Sequence, residues 1–310
     1  MKYDVICVGM ALVDSIIRGF DPNPVSASGY VAESGSLNPG GEAVNEAVAA
    51  AKLGLKTGIL CALGQDQAAE IVLNELKQNG VDTGLVVRSE ATPVTTMFVN
   101  ADGTRKSVTN QAHRFNFHPE KDPSLFTDAK AVILGSLFRA PFDDPEIIRA
   151  VTGAARAAGQ LVIADTKLPN FRFLTLGDVR DALPDIDYIT PNEDEARHFS
   201  DREDPEDMAD VFLDYGVRNV IIKLGSRGCL LKNREKSVRL PALPVRAVDA
   251  TGAGDNLVAG FVSELLRGAA PEEALRFANA CGALCTTAVG AGTALKGRDQ
   301  VLRLAEQYRN

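Results

Sequence analysis

The chain has 310 residues, 45% hydrophobic and 24% charged, enough for a full core in one large α/β domain with a small appendage. Its formal net charge of -8 and sequence pI of about 5.1 exclude a general nucleic-acid binder, because no basic run is present to neutralise phosphates. No apolar stretch nears the ~20 residues of a membrane span, and the opening Met-Lys-Tyr-Asp-Val-Ile-Cys-Val-Gly reads as a first strand rather than a signal peptide. The cysteines Cys7, Cys61, Cys229, Cys281 and Cys285 are odd in number and lie in apolar runs, which predicts reduced, buried thiols in a cytoplasmic protein. Cys281 and Cys285 share a helix face, but no further Cys or His pair completes a zinc set.

In chain order, 5–8 is a continuous apolar run ending at Gly9, the pattern of a parallel strand buried on both faces. Residues 45–53 are Ala-rich and helical, 57–63 form a second apolar strand, and 68–79 an amphipathic helix closed by Gly80. Strands follow at 131–134, 161–164, 188–190, 220–223 and 229–232. Helices are predicted at 145–158, 204–215, 255–266, 271–289 and 299–308. Alternating strands and helices predict a mostly parallel sheet covered on both faces. Two stretches, 13–37 and 92–109, instead show short alternating strands with turns such as Asp102-Gly103, the pattern of a small antiparallel sheet. Together they form either a lid over the C-terminal edge of the main sheet, where α/β proteins bind ligands, or ordinary surface hairpins.

Four motifs carry chemistry. In Pro39-Gly-Gly-Glu-Ala-Val-Asn45, Gly40 and Gly41 ahead of a helix allow close ligand approach, and Asn45 offers a donor and an acceptor for sugar hydroxyls; a tight turn explains the same residues. In Thr190-Pro-Asn192-Glu-Asp-Glu195, Asn192 and Glu195 share a helix face, which suits a capping box or the ordering of phosphate and Mg²⁺ waters. Lys223-Leu-Gly225-Ser-Arg-Gly228 is a glycine-flanked turn that could line a nucleotide. In Asp249-Ala-Thr-Gly-Ala-Gly-Asp255, a flexible turn opens a helix, so free N–H groups make an anion site with an acid beside it. An acid placed there calls for a chemical reason, and a general base for phosphoryl transfer is one. No P-loop, no Gly-x-Gly-x-x-Gly after the first strand and no Gly-x-Ser-x-Gly elbow occurs, and none of His113, His118 and His198 is assigned to catalysis.

The order of these motifs resembles the ribokinase-like (phosphofructokinase-B) family of carbohydrate kinases over essentially the whole chain. The Gly40-Gly41…Asn45 segment resembles the family's N-terminal signature, Asn192-x-x-Glu195 its Asn-x-x-Glu motif, and Asp249–Asp255 its C-terminal signature. The resemblance implies a three-layer α/β/α core over residues 1–310, mostly parallel, with 13–37 and 92–109 as a β-sheet lid that also serves as a homodimer interface. It implies ATP-dependent phosphorylation of a sugar hydroxyl, with Asp255 as base and Gly252, Ala253 and Gly254 as the anion hole. Asp14, Gly40, Gly41 and Asn45 would hold the sugar. Asn192, Lys223, Gly225, Gly228 and Asn279 would line ATP, with Glu195 ordering Mg²⁺. A monovalent cation such as K⁺ would take ligands, largely carbonyls, from Asp249, Thr251, Cys285, Ala288 and Gly290.

The chain departs from the family's pattern at several points. Ala250 replaces the usual Thr, and Arg139 stands where ribokinase carries a Glu near the sugar. Lys167 adds a cation after a core strand, and Arg105 lies in the expected lid. Arg139 and Lys167 are either solvated loop charges or contacts for a carboxylate or phosphate on the acceptor. A nucleoside kinase on the same fold is disfavoured by the absence of Trp and only 6% aromatic residues, and a non-catalytic sensor by the intact base and anion turn.

Overall fold

A computed structural model describes residues 1–19, 31–100, 104–110, 128–170 and 172–308. The turn at Asp102-Gly103 and the histidines His113 and His118 lie outside the described residues. An eight-stranded sheet runs in the order β14-β13-β12-β11-β10-β9-β1-β4. Its strands are β1 (Tyr3–Val8), β4 (Thr57–Leu60), β9 (Ala129–Leu137), β10 (Leu161–Thr166), β11 (Tyr188–Ile189), β12 (Asn219–Lys223), β13 (Cys229–Asn233) and β14 (Ser237–Leu240). The six from β4 to β12 are parallel, and β13 and β14 add an antiparallel edge.

Alternation within buried strands builds two cores. Val5, Cys7, Ile133, Ile163 and Ile221 face one side, packed with helices α1 (Glu42–Lys52), α2 (Gln67–Gln78), α6 (Ala253–Leu265), α7 (Pro271–Cys285) and α8 (Arg298–Gln307). Ile6, Val8, Val132, Leu134 and Val162 face the other, under α3 (Pro145–Ala157), α4 (Glu193–Ser200) and α5 (Pro205–Asp214). Because both faces are covered, each central strand reads in sequence as an unbroken apolar run. Helices α6 and α7 pack closely: a Cβ on Gly260 would lie 2.7 Å from the Cys281 sulfur.

A second sheet has the order β3-β2-β7-β8, from β2 (Leu12–Arg18), β3 (Ser34–Gly40), β7 (Val94–Val99) and β8 (Arg105–Thr109). Its β2–β3 pair is inserted between β1 and α1, and its β7–β8 pair precedes β9. The expected antiparallel sheet is in fact mixed. The β2–β3 and β7–β8 pairs are antiparallel, but β2 and β7 run parallel, because each is the first strand of its own excursion. Two further expectations are corrected. The 57–63 run breaks at Cys61, and β5 (Ala62–Leu63) leaves the main sheet to pair with β6 (Val87–Arg88); apolar content alone does not say which partner a strand takes. Helix α7 ends at Cys285 rather than at 289, where the hydroxyls of Thr286 and Thr287 donate back to the carbonyls of Ala283 and Leu284.

Gly41 is the hinge between the two sheets. Its φ of 100° is left-handed, and a Cβ there would sit 2.3 Å from the Met10 carbonyl oxygen. That close approach fixes the direction in which α1 starts. Gly80 is also left-handed, at φ 74°, but a Cβ there meets nothing within 4 Å. Gly80→Ala should therefore lose only the backbone term, about 1–2 kcal/mol. Gly41→Ala should lose clearly more, by about 1–3 kcal/mol of added overpacking. Urea unfolding of both variants checks this, and equal losses would show that the Met10 contact carries no steric load.

Candidate active site

The site lies where strands β1, β9, β10 and β12 end and helices α1 and α6 begin, the carboxyl edge on which open α/β sheets place ligands. Gly252, with φ 75°, turns the chain into α6, and no side chain caps this helix. Its first-turn N–H groups therefore face outward without helical partners. The exception is the Ala253 N–H, which donates to the Ala250 carbonyl at 3.2 Å. The missing hydroxyl at Ala250 leaves this backbone turn intact. Asp255 stands in the first turn, 8% exposed. The Asn45 side-chain amide, on the first turns of α1, donates to its carboxylate at 2.6 Å. Burial raises the Asp255 carboxyl to about 6; the Glu42 charge adds to the rise, while Lys167 and the Asn45 bond oppose it.

The Lys223 ammonium reaches the anion turn from the end of β12. A Cβ on Gly254 would lie 3.2 Å from its Nζ. Lys223 is held there by Asp165, at the end of β10, across 2.5 Å, and Asp165 also accepts from the Thr190 hydroxyl at 2.7 Å. Asn192 and Glu195 form the complete capping box of α4: the Asn192 side chain accepts from the Glu195 N–H, and Glu195 accepts from the Asn192 N–H, both at 2.9 Å. The buried Glu195 carboxylate also accepts from the Thr166 hydroxyl at 2.8 Å, which ties the cap to β10. Cap and site are thus one structure, since a bridge joins Asn192 to Lys223.

On the other side of Asp255, Asp14 of β2 lies over Gly40, whose Cβ would be 2.4 Å from the Asp14 carboxylate. Burial, with the Glu42 charge second, raises Asp14 to about 6. Lys167 forms a 2.7 Å ion pair with Glu42 at the start of α1. The Arg139 guanidinium donates twice to the Leu168 carbonyl, at 3.0 and 2.7 Å. Arg105 opens β8 on the face that carries Asp14, but it is four residues further along and two strands across, about 16 Å away, and it is exposed. The structure brings Asp14, Gly40, Gly41, Asn45 and Lys167 to Asp255 and does not bring Arg105 there.

Further along the sheet, Gly225 and Gly228 flank the turn between β12 and β13. A Cβ on Gly228 would lie 1.9 Å from the Leu240 carbonyl oxygen, and the Asn279 amide donates to the Pro241 carbonyl at 2.8 Å, so both residues anchor the segment after β14. Beside the anion turn, Asp249 accepts from the Thr251 N–H and hydroxyl and from the Gly290 N–H, at 2.7–2.9 Å. The Cys285 sulfur sits 3.4 Å from the Thr251 carbonyl oxygen and 3.2 Å from that of Ala291; half-buried Ala288 lies in the turn between Cys285 and Gly290. This locus brings backbone carbonyls together. Among the described residues no group of three His, Cys, Asp or Glu side chains could hold a metal ion, so a cation here would depend on carbonyls, water or phosphate oxygens.

The pfkB family carbohydrate kinase profile matches residues 4–297. The chain belongs to the pfkB family of carbohydrate kinases. It is 28% identical to the ribokinase of Haemophilus influenzae over 277 residues, 86% of this chain and 87% of that protein. It is 30% identical to fructokinase-2 of Zea mays over 319 residues, 94% of this chain and 90% of that protein. The structure of Arabidopsis thaliana ribokinase complexed with ribose and ATP superposes with a TM-score of 0.84 at 26% identity, covering 99% of each chain. The fold is ribokinase-like, and the protein is an ATP-dependent sugar kinase. Among the described residues, no helix is long and apolar enough to cross a membrane.

Residue-by-residue reading missed four members of this kinase's site. Asp165 and Thr166 directly follow an apolar strand, a position that marks a sheet's functional edge. Glu42 sits inside a quoted motif, but only the fold reveals its partner. Glu46, one turn later on α1, is fully buried, and neither carboxylate oxygen has a hydrogen-bond partner. Burial, together with Asp165, Asp255 and Glu42, pushes its pKa well above the usual carboxylate range. A carboxyl raised in the folded state holds its proton there while the unfolded chain releases it, so stability falls as pH rises above about 4. Glu46→Gln removes that linkage. It should raise the thermal midpoint at pH 8 and progressively less toward pH 5; a gain that does not depend on pH would show that Glu46 is ionised in the fold.

Proposed function

We propose that Asp255 is the general base of this sugar kinase and that the start of α6 is its anion hole. The observation that carries this reading is the Asn45–Asp255 hydrogen bond. It joins two motifs 210 residues apart at an uncapped helix N-terminus. Asp255 accepts the proton of the acceptor hydroxyl as that oxygen attacks the terminal phosphorus of ATP in line, and the bond from that phosphorus to ADP breaks as the new one forms. Asn45 holds the carboxylate in place. The outward N–H groups of Gly252 and Gly254, on the turn that Ala253 closes, and the Lys223 ammonium face the charge that develops on the transferring group. Asn192, Lys223, Gly225, Gly228 and Asn279 lie along one side of Asp255 and would line ATP, with Glu195 fixing the loop near bound Mg²⁺. Mg²⁺ bound with ATP would supply neutralisation of the polyphosphate charge. A monovalent cation such as K⁺ would sit among the carbonyls near Thr251 and Cys285, with Asp249, Ala288 and Gly290 shaping that loop. Asp14, Gly40, Gly41 and Asn45 would hold the sugar.

The small sheet suits a lid with two different faces. Asn38, Asp14, Thr95 and Thr109 form one cross-strand row, and their polar side chains share the Asp14 face. The adjacent row, Leu37, Ser15, Thr96 and Val108, belongs to the opposite face and leaves Leu37 and Val108 60% and 65% exposed. The polar face would close over the sugar, and the apolar edges would meet a second copy of the chain in a homodimer.

Asp255→Asn should lower turnover by roughly two to four orders of magnitude, measured as ADP release. The wild-type kcat/KM should fall as pH drops through about 6, where Asp255 takes up its proton. Asp14 titrates in the same region, so the acid limb should survive in Asp14→Asn if Asp255 is its source. The same raised pKa means that ionised Asp255 opposes folding above pH 6, and that this cost vanishes below about pH 4. Asp255→Asn should therefore gain on the order of 3 kcal/mol at pH 8 and nothing at pH 4. Near-normal turnover in that variant would sink the assignment.

A further inference from the structure

The acceptor side of the site carries one arrangement that the kinase reading does not use. Glu42, at the first position of α1, takes the Ser136 hydroxyl at 2.6 Å on one oxygen and the Lys167 ammonium at 2.7 Å on the other. Both carboxylate oxygens are thereby engaged. The pair is partly open to solvent rather than sealed, with the Lys167 side chain 35% exposed and that of Glu42 18% exposed. Its field reaches both acids that bracket the acceptor. The Glu42 charge raises Asp14 and Asp255, and the Lys167 charge lowers Asp255.

The surrounding chain is bent to make this pair. Ser136 and Phe138, just past the apolar run of β9, both adopt left-handed backbone angles, φ 68° and 75°. Neither is Gly or Asn, and such strain persists only where neighbouring contacts hold it. The Leu137 carbonyl accepts the Lys167 N–H at 2.9 Å, and Arg139 clasps the next carbonyl, that of Leu168. The end of β9 thus aims the Ser136 hydroxyl at Glu42, and the loop that follows braces the loop after β10 so that Lys167 meets the same carboxylate.

Among the described residues, the charges on this side of Asp255 are therefore Asp14 and Glu42 against Lys167, with Lys167 already paired and Arg139 turned onto a carbonyl. We propose that the Glu42–Lys167 pair is the specificity determinant of the acceptor pocket, and that it selects an uncharged polyhydroxy acceptor over sugar acids and sugar phosphates. The inference rests on the kinase reading above. Glu42 excludes anions in two ways: it occupies the Lys167 ammonium, and it presents a like charge beside it. Lys167, fixed in place, keeps N–H donors for the hydroxyls of a neutral acceptor.

The test uses the purified full chain with MgATP and ADP release. Acceptors are matched pairs: D-fructose with D-fructose 6-phosphate, D-ribose with D-ribose 5-phosphate, and D-glucose with D-gluconate. The wild type should favour the best neutral acceptor over the best anionic one by about 100-fold or more in kcat/KM, the scale of a like-charge clash. Glu42→Gln frees Lys167 and should reduce that ratio at least about tenfold, mainly through a lower KM for the anions. The double variant Glu42→Gln with Lys167→Met should lose that gain, which a merely structural role for Glu42 would not predict. If Glu42→Gln does not fold, Lys167→Met alone decides. It should weaken neutral acceptors and leave anions no better, whereas a selective loss of anionic acceptors would overturn the inference. A wild-type preference for any anionic acceptor would overturn it too, with the kinase reading intact. No ADP release with any acceptor would remove the kinase reading and this inference together.

Discussion

The site depends on a desolvated carboxylate held at the positive end of a helix. Asp255 stands in the first turn of α6, where the free N–H groups stabilise negative charge, yet it is buried enough that ionisation is opposed. These two effects set it near neutrality, the range a general base needs. Position is a separate requirement, and the Asn45 amide meets it from α1. For that amide to arrive, α1 must start at one place and in one direction. Gly41 ensures this by turning the chain against the Met10 carbonyl. The remaining groups attach to the same frame through the carboxyl ends of parallel strands.

Those ends bring charges in pairs, and the pairing keeps so acidic a protein from repelling a polyphosphate. Asp165 fixes Lys223 beside the anion turn, and Glu42 fixes Lys167 on the acceptor side. The two pairs differ in their openness. Lys223 and Asp165 are nearly closed to solvent, at 12% and 4%, so their attraction is little screened and their geometry is tight. Glu42 and Lys167 are more open, so hydroxyls can reach them. Glu46 lies between these groups without a partner. A second ionised acid there would repel Asp255 further, so a neutral Glu46 leaves Asp255 better able to ionise.

Much of the fold was legible because buried parallel strands read as unbroken apolar runs and helices carry their own caps. The capping Asp residues of α2, α3 and α5 and the Asn192–Glu195 box are local signals that need no knowledge of the rest of the chain. The errors fall where information is non-local. Nothing in 57–63 states that Ala62 pairs with Val87, and nothing in β2 states that it meets β7 in parallel. The site divides in the same way. Asp255, Asn45, Asn192 and Lys223 lie in motifs whose residue types announce a chemistry. Glu42 and Ser136 are ordinary residues 94 apart, brought together across the left-handed bend at the end of β9.

The same distinction governs what separates this chain from others on its fold. Backbone features such as the α6 turn and the Gly41 hinge work through N–H groups and clearances, and the turn at Ala250 is made by its carbonyl, not by a side chain. Acceptor choice instead depends on side chains whose partners sit on different strands. A cation next to a sugar site invites the reading that it binds an anion, and Lys167 and Arg139 both allow it in sequence. Hydrogen-bond accounting reverses that reading. The Arg139 fork is committed to the Leu168 carbonyl and the Lys167 ammonium to Glu42, so neither charge is free until something better displaces its partner. An acceptor anion would have to break a charge-assisted bond in order to make one, and would leave the Glu42 carboxylate beside it unpaired. A neutral hydroxyl needs no such exchange. It can use the remaining Lys167 donors while the ion pair stays intact.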